Sequence, residues 1–416
     1  MIQNSILKSF FTLMSGSVIA QLIPILISPF ITRLYTSSEF GEFALFTAVL
    51  SICSSLVNAK YSSAILLPKD KSDFNSLVLL NILVSILFSF CLFILIFLNI
   101  KFDFYSLELK SIYQLIIPFL VLIFSINQVY LMLANRSEKY KQIALAKTFQ
   151  SSLNSASSLM MGYLNYGVFG LVLSKLLAFS ISTLYLSFTI SLKLYRKYLS
   201  YKSIKRIALK YFDFPLYTLP QTLLYQLVIQ IPIFFIQDVY SIYFLGLYAL
   251  TSRVLTVPTS IISSSISQIY YKQATDFFNN GRKLSLHIIT RKFIFQLFLI
   301  SITISLFVYP FLPELFSFIF GNDWKQAGVI SQYLLLYLVP AFVISPFTQI
   351  FLVSKNNKFL FIVEIIRFTL LILLYILGKV FSINMFDFLI YFSSIHCLFY
   401  IILSIPILNI KSFVWR

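Results

Sequence analysis

Residues 75–99 read NSLVLLNILVSILFSFCLFILIFLN, 25 consecutive positions without an Asp, Glu, Lys or Arg. As a helix that run is about 37 Å long, more than the ~30 Å of hydrocarbon in a bilayer. A helix at the surface of a soluble protein needs a polar face, and this one has none. The segment reads as a membrane-spanning helix, and the pattern recurs along the chain. Mostly apolar windows of about 20 residues occur at 11–32, 41–62, 75–99, 114–133, 144–164, 168–191, 214–236, 243–269, 293–313, 328–353, 359–378 and 387–408. Twelve spans leave loops of about a dozen residues and no room for an extramembrane domain.

Composition agrees. Of 416 residues, 59% are hydrophobic and 11% charged, against roughly a quarter charged in soluble domains. The 46 Phe and 26 Tyr suit lipid-facing and interfacial surface. Fourteen acidic residues, two His and three Cys leave little for metal or redox chemistry, so neither cofactor nor metal is expected. Cys53, Cys91 and Cys397 lie in apolar runs, match no ligand spacing, and read as packing residues. Only Lys8 precedes the first apolar run and no small-residue cleavage site follows, so that run reads as a first span rather than a cleavable signal.

The net charge of +18 points away from nucleic acid once the basic residues are placed. Twenty-four Lys and Arg fall on the side of the N-terminus and five on the other, while Lys175, Arg253 and Arg367 fall within spans. The loop between spans 4 and 5 is assigned four of the 24. This split puts both termini in the cytoplasm. Part of the positive charge also faces anionic lipid heads. The longest basic segment carries Lys193, Arg196, Lys197, Lys202, Lys205, Arg206 and Lys210, with Leu194, Tyr198, Tyr201, Ile204, Ala208 and Tyr211 at helical spacing. It reads as an interfacial amphipathic helix, either a tether or a regulatory element. The expected organisation is a six-helix bundle over 1–192, this linker over 193–213, and a second six-helix bundle over 214–416.

The halves repeat weakly. GEFALFTAVL at 41–50 matches GLYALTSRVL at 246–255 in five of ten positions, and Ile23-Pro24-Ile25 echoes Ile231-Pro232-Ile233. Spans 1 and 2 thus correspond to spans 7 and 8. With six spans per half, the repeats are parallel, which implies a pseudo-two-fold axis along the membrane normal and a transporter with a central cavity.

Polar residues inside the spans mark candidate function. Arg253 is near the middle of span 8, and Thr256, Ser260, Ser263 and Ser267 follow on its face. Thr222, Gln226, Gln230 and Gln237 line one face of span 7. These stripes serve either a watered cavity or interhelical hydrogen bonds. Lys175 in span 6 is either functional or snorkels outward. Glu364 and Arg367, at i and i+3 in span 11, form either an ion pair or a coupling site for protons or ions. Arg33 and Lys60 end spans 1 and 2, as interface anchors or substrate contacts. His287 and His396 stand alone, and there is no phosphate loop or acid–base pair, so no catalytic residue and no enzyme activity are expected.

The sequence also resembles a known family. Ser15-Gly16-Ser17, Ala20-Gln21-Leu22-Ile23-Pro24, Ser28-Pro29, Thr32-Arg33-Leu34-Tyr35, Glu39-Phe40-Gly41-Glu42-Phe43-Ala44-Leu45-Phe46 and Lys60-Tyr61-Ser62-Ser63-Ala64-Ile65-Leu66-Leu67-Pro68 resemble the first half of bacterial polysaccharide and O-antigen flippases. Arg253-Val254-Leu255, Pro258, Gln268-Ile269-Tyr270-Tyr271 and Ala274 resemble the second half. These proteins form a branch of the multidrug/oligosaccharidyl-lipid/polysaccharide exporter superfamily. The resemblance implies two six-helix bundles around a V-shaped cavity lined by helices 1, 2, 7 and 8. It implies a substrate of oligosaccharide on undecaprenyl pyrophosphate, moved across the inner membrane for O-antigen, lipopolysaccharide or capsule assembly. Polymerase and chain-length proteins would be partners. The resemblance places Arg33, Lys60 and Arg253 at cationic cavity positions, although the family more often has Arg where Lys60 stands. A drug/cation antiporter of the same fold would want intramembrane carboxylates where this chain has cations. A teichuronic acid or exopolysaccharide exporter is a close alternative, and a membrane-embedded polymerase or glycosyltransferase a distant one.

Overall fold

A computed structural model describes residues 2–102, 109–190, 200–281, 283–354 and 356–409. Among them every regular element is helical: α1 (Ile2–Ile31), α2 (Ser37–Leu56), α3 (Lys71–Phe102), α4 (Ser111–Arg136), α5 (Tyr140–Tyr163), α6 (Gly167–Thr189), α7 (Tyr201–Lys210), α8 (Leu219–Val239), α9 (Ile242–Asn279), α10 (Lys283–Val308), α11 (Leu312–Phe320), α12 (Lys325–Ile344), α13 (Ile350–Val353), α14 (Asn357–Val380) and α15 (Met385–Leu408). Ten helical stretches among the described residues are long and apolar enough to cross a membrane. A shorter apolar helix, Ser15–Ile31, lies in α1, and α5 is a 24-residue helix that Lys141, Lys147, Gln150 and Asn154 make more polar. With these two, the twelve expected spans each have a helix, and the protein is an all-α, multi-pass membrane protein. Its helices form two compact units, residues 1–226 and 227–416, with the division falling inside α8.

In the first unit α1, α5 and α6 form the tightest packing. Lipid offers no hydrophobic drive between helices, so close approach depends on small residues. A Cβ on Gly16 of α1 would stand 2.3 Å from Ala144 Cβ on α5. At the turn after α1, Tyr35 is buried against Gly162 and Gly170 and donates its hydroxyl to Ser158 O at 2.8 Å. Burial, with the Glu39 carboxylate adding to it, pushes the Tyr35 phenol up to about 12, so it remains a donor. Polar residues tie neighbouring spans together: Ser85 to Ser125 at 2.6 Å, and Asn127 to Ser182 and Thr183 at 3.1 Å.

The amphipathic linker docks on this unit. Lys193, Arg196 and Lys197, with Leu194 and Tyr198, lie outside the described residues. The rest is α7, started by a Ser200/Ser203 capping box. Ile207 is fully buried in the core around Tyr61, Leu77 and Leu133. Arg206 and Lys210 both reach Asp73 of α3 at 2.6 Å, and Asp73 raises the pKa of the Lys210 ammonium by hydrogen bond and charge. Beneath it a 3-10 turn, Tyr61–Leu66, is clamped by Arg136, whose guanidinium donates to Ile65 O and Pro68 O.

The second unit repeats the opening of the first in register. Thr36 caps α2 five residues before Gly41, and Ser241 caps α9 five residues before Gly246. Each cap hydroxyl accepts from the backbone N–H three residues on, and Leu45 and Leu250 are both fully buried. Phe235 of α8 stacks on Phe388 at 3.9 Å and lies against Gly378, where a Cβ would be 2.5 Å from its ring. Asp238 accepts from Tyr375 at 2.7 Å and from Lys379 at 2.8 Å. Two expected loops are helical. Residues 312–320 form α11, which buries Leu312, Phe316 and Phe320, and His287 lies inside α10.

Candidate functional site

Arg253 is the twelfth residue of α9, about 17 Å from its start. It is half-buried and has no hydrogen bond or ion pair with another described residue. The corresponding position in the first half is Ala48, 1% exposed. The cation is therefore an addition to the repeat, not a requirement of it. On the same helix Thr256 donates to Ser252 O at 2.6 Å and Ser260 to Val257 O at 2.8 Å. Their protons satisfy their own helix, and their oxygens keep a free acceptor face. In α8 Gln226 is half-buried, and Gln230 is buried with an amide that makes no hydrogen bond to a described residue.

Arg367 is different. It is 6% exposed, hydrogen-bonds Glu364, and stacks over Phe399 at 3.9 Å from the ring centroid. Glu364 and Arg367 thus form the ion pair their spacing allows, and the carboxylate is engaged.

Arg33 and Lys60 are not brought together. Arg33 is exposed in the turn before α2, and Lys60 follows the other end of that 20-residue helix. About 30 Å of helix separates them, so one pyrophosphate cannot touch both. Lys60 and Ala59 adopt left-handed backbone, φ 61° and 48°, a conformation that costs a residue with a Cβ about 1–2 kcal/mol. Burial lowers the pKa of the Lys60 ammonium, and an anion beside it would restore the charged form.

A further polar cavity of about 420 Å³ opens among α1, α5 and α6. Lys147 and Lys175 line it with Ser17, Gln21, Gln150, Ser151 and Asn154, and among the described residues no Asp or Glu does. Lys147 Nζ donates to Ser17 Oγ at 3.3 Å, and Lys175 Nζ lies 5.6 Å from the Phe43 ring centroid. Lys175 was expected within its span. Lys147 is a correction to the charge count: it falls inside the 144–164 window yet is tallied with the four basic residues of the loop between spans 4 and 5, and the structure has it two turns inside α5. The signal was present as a helical stripe, Lys147, Ser151 and Asn154 on α5 facing Ser17, Gln21 and Pro24 on α1.

The family model described as polysaccharide biosynthesis protein matches residues 30–329. The fold is similar to that of "Lipid II flippase MurJ, inward closed conformation", with TM-score 0.74 and 14% identity over 98% of this chain and 88% of that one. It is also similar to an inward-facing multidrug resistance MATE family transporter of the MOP superfamily, with TM-score 0.65 and 16% identity over 96% and 95%. A MOP superfamily transporter from Pyrococcus furiosus gives TM-score 0.62 and 15% identity over 98% and 96%. No curated protein sequence matches.

Proposed function

The chain belongs to the polysaccharide biosynthesis protein family, and from that we propose that it is a flippase for oligosaccharide units linked to undecaprenyl pyrophosphate. It moves them from the cytoplasmic to the outer leaflet of the inner membrane for O-antigen or capsule synthesis, with both of its own termini in the cytoplasm. One observation carries the reading: Arg253 at mid-span and the two lysines of the cavity among α1, α5 and α6 are cations. Among the described residues Arg253 has no carboxylate partner, and no carboxylate lines the Lys147–Lys175 cavity. An unpaired cation at bilayer depth costs several kcal/mol, and an anionic cargo repays it. A pyrophosphate carries at least two negative charges and crosses ~30 Å of hydrocarbon only if they are offset.

In this mechanism Lys60 and Arg33 act as stations at the two membrane faces, and Arg253 as the station at mid-depth. Gln226, Gln230, Thr256 and Ser260 offer amides and hydroxyl oxygens to sugar hydroxyls. The prenyl tail stays in lipid, and the two bundles rock to alternate access. A cation antiporter is disfavoured because Glu364 is paired with Arg367. A proton or sodium gradient is the expected drive, and the polymerase of the same pathway the expected partner.

The test is deletion of the gene in its own host, with a periplasmic sugar-modifying enzyme reporting the leaflet. Full-length units should accumulate on the cytoplasmic side and surface polysaccharide should disappear. Units that face outward but stay unpolymerised would identify a polymerase or transferase instead.

A further inference from the structure

We infer that the cavity among α1, α5 and α6 is a saccharide subsite for a hexose bearing a carboxylate, so that the repeat unit carried is acidic. This rests on the transport reading above but assigns a different part of the cargo to a different part of the chain. The α5–α6 hairpin turns at Tyr163–Gly167. Lys147 lies 16 residues before that turn and Lys175 eight after it, which places them about 24 Å and 12 Å below it. The two lysines therefore differ in depth by about 12 Å, and both lie within the hydrocarbon zone. Gln150 and Asn154 fill the interval on α5, one and two turns from Lys147. A compact phosphate meets one end of such a ladder. A sugar ring with a charged substituent covers more of it, with the lysine side chains reaching in from either end.

The donor set agrees. Side-chain amides supply paired donors and acceptors suited to ring hydroxyls, and three of them (Gln21, Gln150 and Asn154) line the cavity. Asn154 Oδ1 accepts no hydrogen bond, and turning the amide presents that oxygen to a sugar hydroxyl. The Lys147 ammonium bonds a neutral hydroxyl, Ser17 Oγ. A carboxylate there replaces a charge–dipole contact with one in which donor and acceptor are both ionised. The volume of about 420 Å³ lies within the range of small-ligand pockets.

The test uses the purified full-length chain in lipid nanodiscs. Its unfolding temperature is followed during titration with D-glucuronate, D-glucose or inorganic phosphate at matched ionic strength. Glucuronate should raise it most, Lys147→Gln and Lys175→Gln should each weaken the apparent affinity at least tenfold, and Lys147→Arg should keep most of it. Lys175→Gln, at the other end of the ladder, preserves the test if Lys147→Gln folds poorly. A phosphate response equal to that of glucuronate would overturn the sugar assignment in favour of the pyrophosphate head. Absence of a glucuronate response, or one unchanged in both Gln variants, would overturn the site. Because binding is read without transport, these outcomes are separable from failure of the leaflet assay.

Discussion

Glu364→Gln is the substitution whose effect follows most directly from the geometry. Arg367 is 6% exposed, the side chains of the pair are 7% and 13% exposed, and Arg367 Nε already has no hydrogen-bond partner. Neutralising Glu364 leaves a guanidinium at membrane depth without a counter-charge, held by a neutral amide oxygen and the Phe399 face. Breaking a buried pair from one side costs about 3–5 kcal/mol, and an unpaired Arg at a spanning-helix centre costs ~2.5–3.5 kcal/mol on insertion scales. For a unit of this size 1 kcal/mol moves Tm by about 2–4 °C, so Glu364→Gln should lower Tm by roughly 6–20 °C. The double variant Glu364→Met/Arg367→Met removes both charges with little loss of volume and should recover most of the drop. The assay is thermal unfolding of the detergent-purified chain beside surface polysaccharide measured in cells. An unchanged Tm in Glu364→Gln, or a double variant no better than the single one, would sink the structural-pair account. A stable double variant that no longer exports polysaccharide would make Glu364 a coupling residue.

Arg253→Gln removes a cation without a partner among the described residues, so Tm should hold within about 2 °C while export falls at least tenfold; full export at normal protein level would refute its role. Gly16→Leu drives a side chain into Ala144 and should cost about 1–3 kcal/mol as overpacking, read as a lower Tm and loss of glucuronate binding together. Asp73→Asn weakens both contacts to α7. Arg206 and Lys210 are half or more exposed, so screening keeps the loss small, and limited proteolysis at Tyr201–Lys210 should speed up. Ala59→Gly relieves a left-handed backbone and should leave Tm unchanged or raise it by up to about 1 kcal/mol equivalent, with transport intact.

Much of the architecture is legible in the sequence. Span number, uncharged runs and the opening repeat are local properties, written in hydropathy and in hydroxyl caps such as Thr36 and Ser241. The sign of the intramembrane charge was legible too, because Lys, Arg, Asp and Glu are counted residue by residue. The Glu364–Arg367 spacing admitted two readings, and the ring of Phe399, 32 positions further on, could not be seen beside it. Lys147 falls inside the 144–164 window, but its charge reads equally as part of the basic loop just before it, because α5 is polar near its start.

What tertiary structure alone decided is which polar residues share a space. Ser17 and Lys147 are 130 positions apart and meet because Gly16 lets α1 approach Ala144 of α5. Arg33 and Lys60 are 27 positions apart in the chain, yet α2 holds them at opposite ends of a span. Hydrophobic pattern determines whether a segment enters the membrane, because each residue meets the lipid on its own account. Sites depend on the packing of several helices, where a single missing Cβ sets the distance between side chains far apart in sequence.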